Sequence, residues 1–75
     1  MADLLLDTKG LNCPLPILKT KKLIREVPIG GTLEVLATDP ASAADFKAFC
    51  RSTGHLLLEA SLTNEVFRFV IERTK

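Results

Sequence analysis

Apolar and polar positions change their spacing several times along this chain, and each change marks a different element. Leu4-Leu5-Leu6-Asp7-Thr8 is short, dense in apolar side chains and ends before Gly10, which predicts a buried strand. From Pro14 to Val27 the pattern turns helical: Ile17, Thr20, Ile24 and Val27 recur at three- and four-residue steps, with Leu23 beside them. Pro28-Ile29-Gly30-Gly31 interrupts that stripe and reads as a turn. Strict alternation follows in Thr32 to Thr38, where Leu33, Val35 and Ala37 face one way and Glu34, Leu36 and Thr38 the other. Asp39-Pro40 then opens a second helix, with the carboxylate as cap and proline at the first helical position. Its inward face is Ala43, Phe46, Phe49, Cys50 and Thr53, and Gly54 is placed to end it. Two further strand-like runs, His55 to Leu62 and Glu65 to Glu72, flank Thr63-Asn64, the pattern of a hairpin.

The resulting order is β-α-β-α-β-β. A mixed four-stranded sheet with two helices on one face, an α/β two-layer sandwich with right-handed first crossovers, buries every apolar stripe at once. Seventy-five residues suit one domain spanning 1–75, with a small core. Hydrophobic residues make up 47% of the chain and charged ones 25%, which argues against disorder. The segment Met1 to Asp7 has no basic leader before its apolar stretch, and no run approaches a membrane span, so a soluble cytoplasmic protein is expected. Two cysteines without a secretory signal point to free or catalytic thiols rather than a disulfide scaffold.

Chemistry concentrates at Leu11-Asn12-Cys13-Pro14-Leu15-Pro16. A thiol at a helix start faces free backbone N–H groups and the positive end of the helix dipole, both of which favour thiolate. Pro14 and Pro16 fit the first turn because no intrahelical bond is lost there, so they support the helix start. Lys9, Lys19, Lys21, Lys22 and Arg25 carry charge from residue 9 to 25 with no acid between them. The surroundings of Cys13 are therefore expected to be basic, and Lys19, Lys21, Lys22 and Arg25 become docking candidates for an acidic partner surface. A solvated lysine-rich helix face explains the same charges without a docking role. Direct nucleic-acid binding is disfavoured, since no aromatic residue interleaves with this patch.

The other reactive types read as structural. Cys50 lies beside Phe49 on a helical face, where a free cysteine behaves as a small buried hydrophobe. His55 follows Gly54 at a helix-to-strand junction, and no spacing places its ring at Cys13. Cys13, Cys50 and His55 lack metal-ligand spacing, so neither metal nor cofactor is expected. Asp7 and Asp45 are open between electrostatic roles and ordinary solvated carboxylates.

Taken together, Leu6-Asp7, Gly10 to Pro16, Ala37-Thr38-Asp39-Pro40, Asp45, Phe49-Cys50 and Gly54-His55 make the chain resemble the small TusA/SirA-like sulfur carriers over nearly its whole length. Cys-Pro-x-Pro at this distance from Asp-Pro is the specific part of the match. The resemblance implies sheet order 1-2-4-3 and a persulfide carried as an intermediate on Cys13. It also implies a cysteine desulfurase or rhodanese-like sulfur donor and a downstream relay protein as acceptor. Such a protein acts as a carrier, not as a stand-alone turnover enzyme.

Two departures bear on the pathway. Leu15 stands where transfer-RNA thiolation members of the family carry glutamate, and Ala44-Asp45-Phe46-Lys47 lacks the arginine and proline of the family's Arg-Asp-Ile-Pro segment. The first, with the Ile17 to Lys22 run after it, leans toward a general or oxidation-linked relay, and the second bears on partner choice without removing the carrier chemistry. A regulatory or interaction module that keeps the fold, and a dithiol protein pairing Cys13 with Cys50, are the competing classes.

Overall fold

A computed structural model describes residues 3–75. The expectation that the N-terminal run holds no leader includes Met1 and Ala2, which lie outside the described residues. The elements run β1 (Leu4–Thr8), α1 (Leu15–Leu23), a short 3-10 turn (Ile24–Glu26), β2 (Thr32–Ala37), α2 (Ser42–Thr53), β3 (Leu56–Thr63) and β4 (Val66–Glu72). Strand order is β1-β2-β4-β3, with β1 parallel to β2 and the other two pairings antiparallel. The expected β-α-β-α-β-β order, sheet order 1-2-4-3 and two helices on one face are all present.

The alternating strand β2 is the centre of the core, with Leu33, Val35 and Ala37 fully buried. Phe69 and Ile71 of β4 are buried beside them, and Phe46 of α2 stacks on Phe69 with ring centroids 4.6 Å apart. Phe49 meets Phe46 edge-on at 6.5 Å. From α1 and its 3-10 extension, Thr20, Ile24 and Val27 close the layer. The Thr20 hydroxyl donates to the Pro16 carbonyl at 2.8 Å, so a polar side chain is buried without an unmet bond.

One burial pattern and three boundaries differ from the sequence reading. β1 is an edge strand rather than a fully buried one: Leu4 and Leu6 turn inward while Leu5 is 59% exposed. A short apolar run does not show whether one face or both are covered. The first helix does not run from Pro14 to Val27. Pro14 is its N-cap, the α-helix stops at Leu23, and after the 3-10 turn Val27 is extended. The inward stripe survives because a 3-10 turn keeps side chains three apart on one side.

The second helix begins later than Asp39-Pro40. The Ser42 N–H donates to the Asp39 carbonyl and the Ala41 N–H to its carboxylate, which makes a turn there, and α2 starts at Ser42. It ends as expected at Gly54, whose φ of +86° suits glycine. The hairpin turn is Asn64-Glu65, both at positive φ, closed by the Thr63–Val66 pair, one residue beyond the expected Thr63-Asn64.

The sheet's other face carries an ion-pair bridge. Arg68 on β4 reaches Glu34 on β2 at 2.8 Å and Glu59 on β3 at 2.6 Å, tying three strands together where no helix covers them. β3 is the outer strand, and a register shift between Leu57 and Glu59 leaves Leu58 as a bulge.

Candidate functional site

Parallel pairing of β1 and β2 sends both chains toward the same end of the sheet, where the loops leading into α1 and α2 meet. Two hydrogen bonds stitch these loops. The Gly10 N–H donates to Thr38 Oγ1 at 2.9 Å, and the Cys13 N–H donates to Asp39 Oδ2 at 2.6 Å. Asp39 Oδ1 meanwhile accepts the Ala41 N–H at 3.1 Å. One carboxylate thus bridges the cysteine loop and the entry to α2. Gly10, at φ +83°, makes the turn out of β1 that permits this approach.

Cys13 is exposed at this junction and lines one groove with Asp45, which sits in the first turn of α2. The thiol is pushed up from its ordinary value, first by Asp45 as its polar neighbour, then by partial desolvation, and further by the charges of Asp45 and Asp39. This overturns the expectation of a basic, thiolate-favouring setting. The lysines are near in sequence, but the fold brings Asp39, in the turn before α2, and Asp45, in its first turn, to the cysteine. The helix start also offers less than expected. Pro14 and Pro16 have no N–H, the Leu15 N–H goes to the Asn12 carbonyl, and that of Leu18 goes to the Pro14 carbonyl.

A groove of about 410 Å³ runs from Cys13 between the two helices, lined by Pro14, Ile17, Lys21, Asp45, Phe49 and Thr53 among others. Pro14 borders the groove, and Pro16, buried, anchors the first turn of α1. The four cations picked out by sequence do not act together. Lys21 lines the Cys13 groove, and Arg25 lies with it in an adjoining concavity toward the far end of the helices. Lys19 and Lys22 line a separate concavity with Leu6, Leu23 and Glu26.

Cys50 is buried in the core with Phe46 and Phe49, and burial pushes its thiol up to about 11. The expected packing role is what the structure shows. His55 stands at the opposite end of α2 from Asp45, and its Nδ1 accepts the Thr74 N–H at 3.2 Å. Desolvation, Arg73 and Lys75 all lower its pKa, so the ring is neutral at pH 7. Sequence reasoning missed that Thr38 and Asp39 position the cysteine loop. In the sequence Asp39-Pro40 reads only as a helix cap, and no spacing names the Cys13 loop as its partner.

Among the described residues no group of His, Cys, Asp and Glu is arranged to hold a metal ion. No described helix is long and apolar enough to cross a membrane.

Comparison with known proteins gives one consistent answer. A family model described as "Sulfurtransferase TusA" matches residues 5–73. A relative in Neisseria meningitidis, named provisionally as a sulfur carrier protein, is 52% identical over 67 residues, 89% of this chain and 90% of that one. A "Sulfur carrier protein TusA" of Allochromatium vinosum is 46% identical over 69 residues, covering 92% and 91%. The solved structure of a SirA-like protein from Desulfitobacterium hafniense superposes with a TM-score of 0.83 over 96% of this chain and 99% of that one. At 24% identity it speaks for the fold.

Proposed function

Because the chain belongs to the TusA sulfurtransferase family and is a sulfur carrier working through a cysteine, we propose that Cys13 is the residue that bears the sulfur. The observation that carries this reading is the contrast in access: Cys13 is exposed at the mouth of a groove, and Cys50 is sealed in the core. A carrier must present one sulfur to two proteins in turn, and only an accessible thiol can do so.

The relay proceeds by two exchanges at sulfur. Cys13 sulfur attacks the outer sulfur of a donor persulfide, the donor's S–S bond breaks, and the proton lost by Cys13 ends on the departing donor thiolate. An acceptor thiolate then attacks the outer sulfur held on Cys13, and Cys13 leaves and is reprotonated. No electrons are gained or lost overall. Asp45 pushes the Cys13 thiol up from its ordinary value, which lowers its thiolate fraction and slows reaction with stray disulfides.

A cysteine desulfurase or rhodanese-like protein fits the donor role, and a second relay protein the acceptor, in the cytoplasm. Leu15, with the run that follows it, favours a general or oxidation-linked relay over transfer-RNA thiolation, and the Ala44 to Lys47 segment bears on which partner is chosen. The test is to incubate the reduced protein with a desulfurase and cysteine, then locate added sulfur by intact and peptide mass spectrometry. One labile sulfur on Cys13, retained in Cys50→Ala and passed to an acceptor thiol, is the expected result. Sulfur on Cys50, or none with several donors, overturns the assignment.

A further inference from the structure

The Cys13 groove does not end between the helices. Lys21, Phe49 and Thr53 line both it and a second concavity of about 250 Å³, whose remaining walls include Arg25, His55, Arg73 and Lys75. No carboxylate side chain lines that second space. Arg73 is engaged structurally, its guanidinium donating to the carbonyls of Arg25 and Val27 and to a main-chain oxygen of Lys75. Lys21, Arg25 and Lys75 form no ion pair with a carboxylate among the described residues. The two adjoining concavities therefore differ in charge: Asp45 lines the one at the thiol, with Asp39 bonded to the Cys13 N–H beside it, and Arg25 and Lys75 line the other, with Lys21 shared between them.

We propose that this groove receives an extended, cysteine-bearing segment of a partner protein, with Asp or Glu side chains seated at the basic end while its reactive cysteine meets Cys13. The proposal rests on Cys13 as the carrier residue and adds what the partner looks like. From Leu15 to Arg25 the α-helix and the 3-10 turn advance by about 16 Å, at about 1.5 and 2.0 Å per residue. An extended segment covers that in roughly five residues. The acids are thus expected about five positions from the partner's cysteine, whereas acids beside the cysteine meet Asp39 and Asp45 and are repelled. Lys19 and Lys22, on the other concavity, take no part.

The test uses synthetic peptides whose single cysteine is activated as a mixed disulfide with thionitrobenzoate. Cys13 sulfur bonds to the peptide sulfur, the S–S bond to thionitrobenzoate breaks, and the coloured thiolate released reports the rate. Four peptides are compared: paired aspartates five residues after the cysteine, five residues before it, flanking it, or replaced by serine. At low salt one of the spaced acidic peptides is expected to react roughly fivefold faster than the serine peptide, and the flanking one more slowly. Lys21→Gln/Arg25→Gln is expected to abolish the advantage. Lys19→Gln/Lys22→Gln, which removes the same charge, is expected to keep it. Equal loss in both double variants, no acidic preference, or a fastest flanking peptide overturns the groove proposal while leaving Cys13 as carrier. A Cys13 that reacts with no peptide overturns the carrier assignment itself.

Discussion

Cys13 and Cys50 share a chain of 75 residues and contrast in almost every physical respect. Both thiols are raised in pKa, but for different reasons: Cys13 chiefly by Asp45, Cys50 by burial alone. The first cause is removable by one substitution at the surface. The second is the core itself, with Phe46 and Phe49 as neighbours. A raised thiol pKa is thus no sign of inertness. On the proposed assignment, access is what separates the sulfur that is handed on from the one that is not.

The sharpest way to break this contrast is to alkylate the native protein. Cys13 is expected to react at least ~1000-fold faster than Cys50, because Cys50 must wait for the core to open. Comparable rates, read by peptide mass spectrometry, would remove the access argument. Next in size, Cys13→Ser is expected to abolish sulfur loading while leaving thermal stability within about 0.5 kcal/mol. Phe46→Ala should instead keep Cys13 chemistry but lower stability by about 3–5 kcal/mol in a denaturant titration, and bring Cys50 within reach of the alkylating reagent.

The core thiol also predicts a pH window. Its folded pKa is raised, so the native state holds the proton longer than the unfolded one, and stability is present below the unfolded thiol pKa. That contribution is lost as pH rises from about 9 toward about 11. Unfolding curves should therefore fall more steeply across this range for the parent than for Cys50→Ala. The smallest effect belongs to the surface: Asp45→Asn should lower the Cys13 pKa and speed its alkylation several-fold near pH 7.5. An unchanged rate would show that the carboxylate does not hold the proton.

Elements whose pattern depends on their own residues were legible in the sequence. Leu33, Val35 and Ala37 alternate because β2 has one core face, and Phe46, Phe49 and Cys50 share a face because α2 has a helical period. Cys13 was legible because Cys-Pro-x-Pro places a thiol at a helix entry. The polarity around it was not. Asp39 and Asp45 come to Cys13 through tertiary structure, while the lysines that look adjacent in sequence spread over two sides of α1. Helix starts were misplaced for a related reason. Pro14 and Asp39-Pro40 carry the right residue types for caps, but local turns took up the backbone bonds first.

The turn at Pro28 to Thr32 gathers both ends of the described chain. Asp3 exchanges bonds with Thr32, and Arg73 with Gly30 and Gly31, at the pole away from Cys13. Any tag, immobilising support or fused domain attached there leaves the thiol pole unobstructed. The molecule is 30 Å along its longest axis, a span of about nine extended residues for any tether that runs its full length.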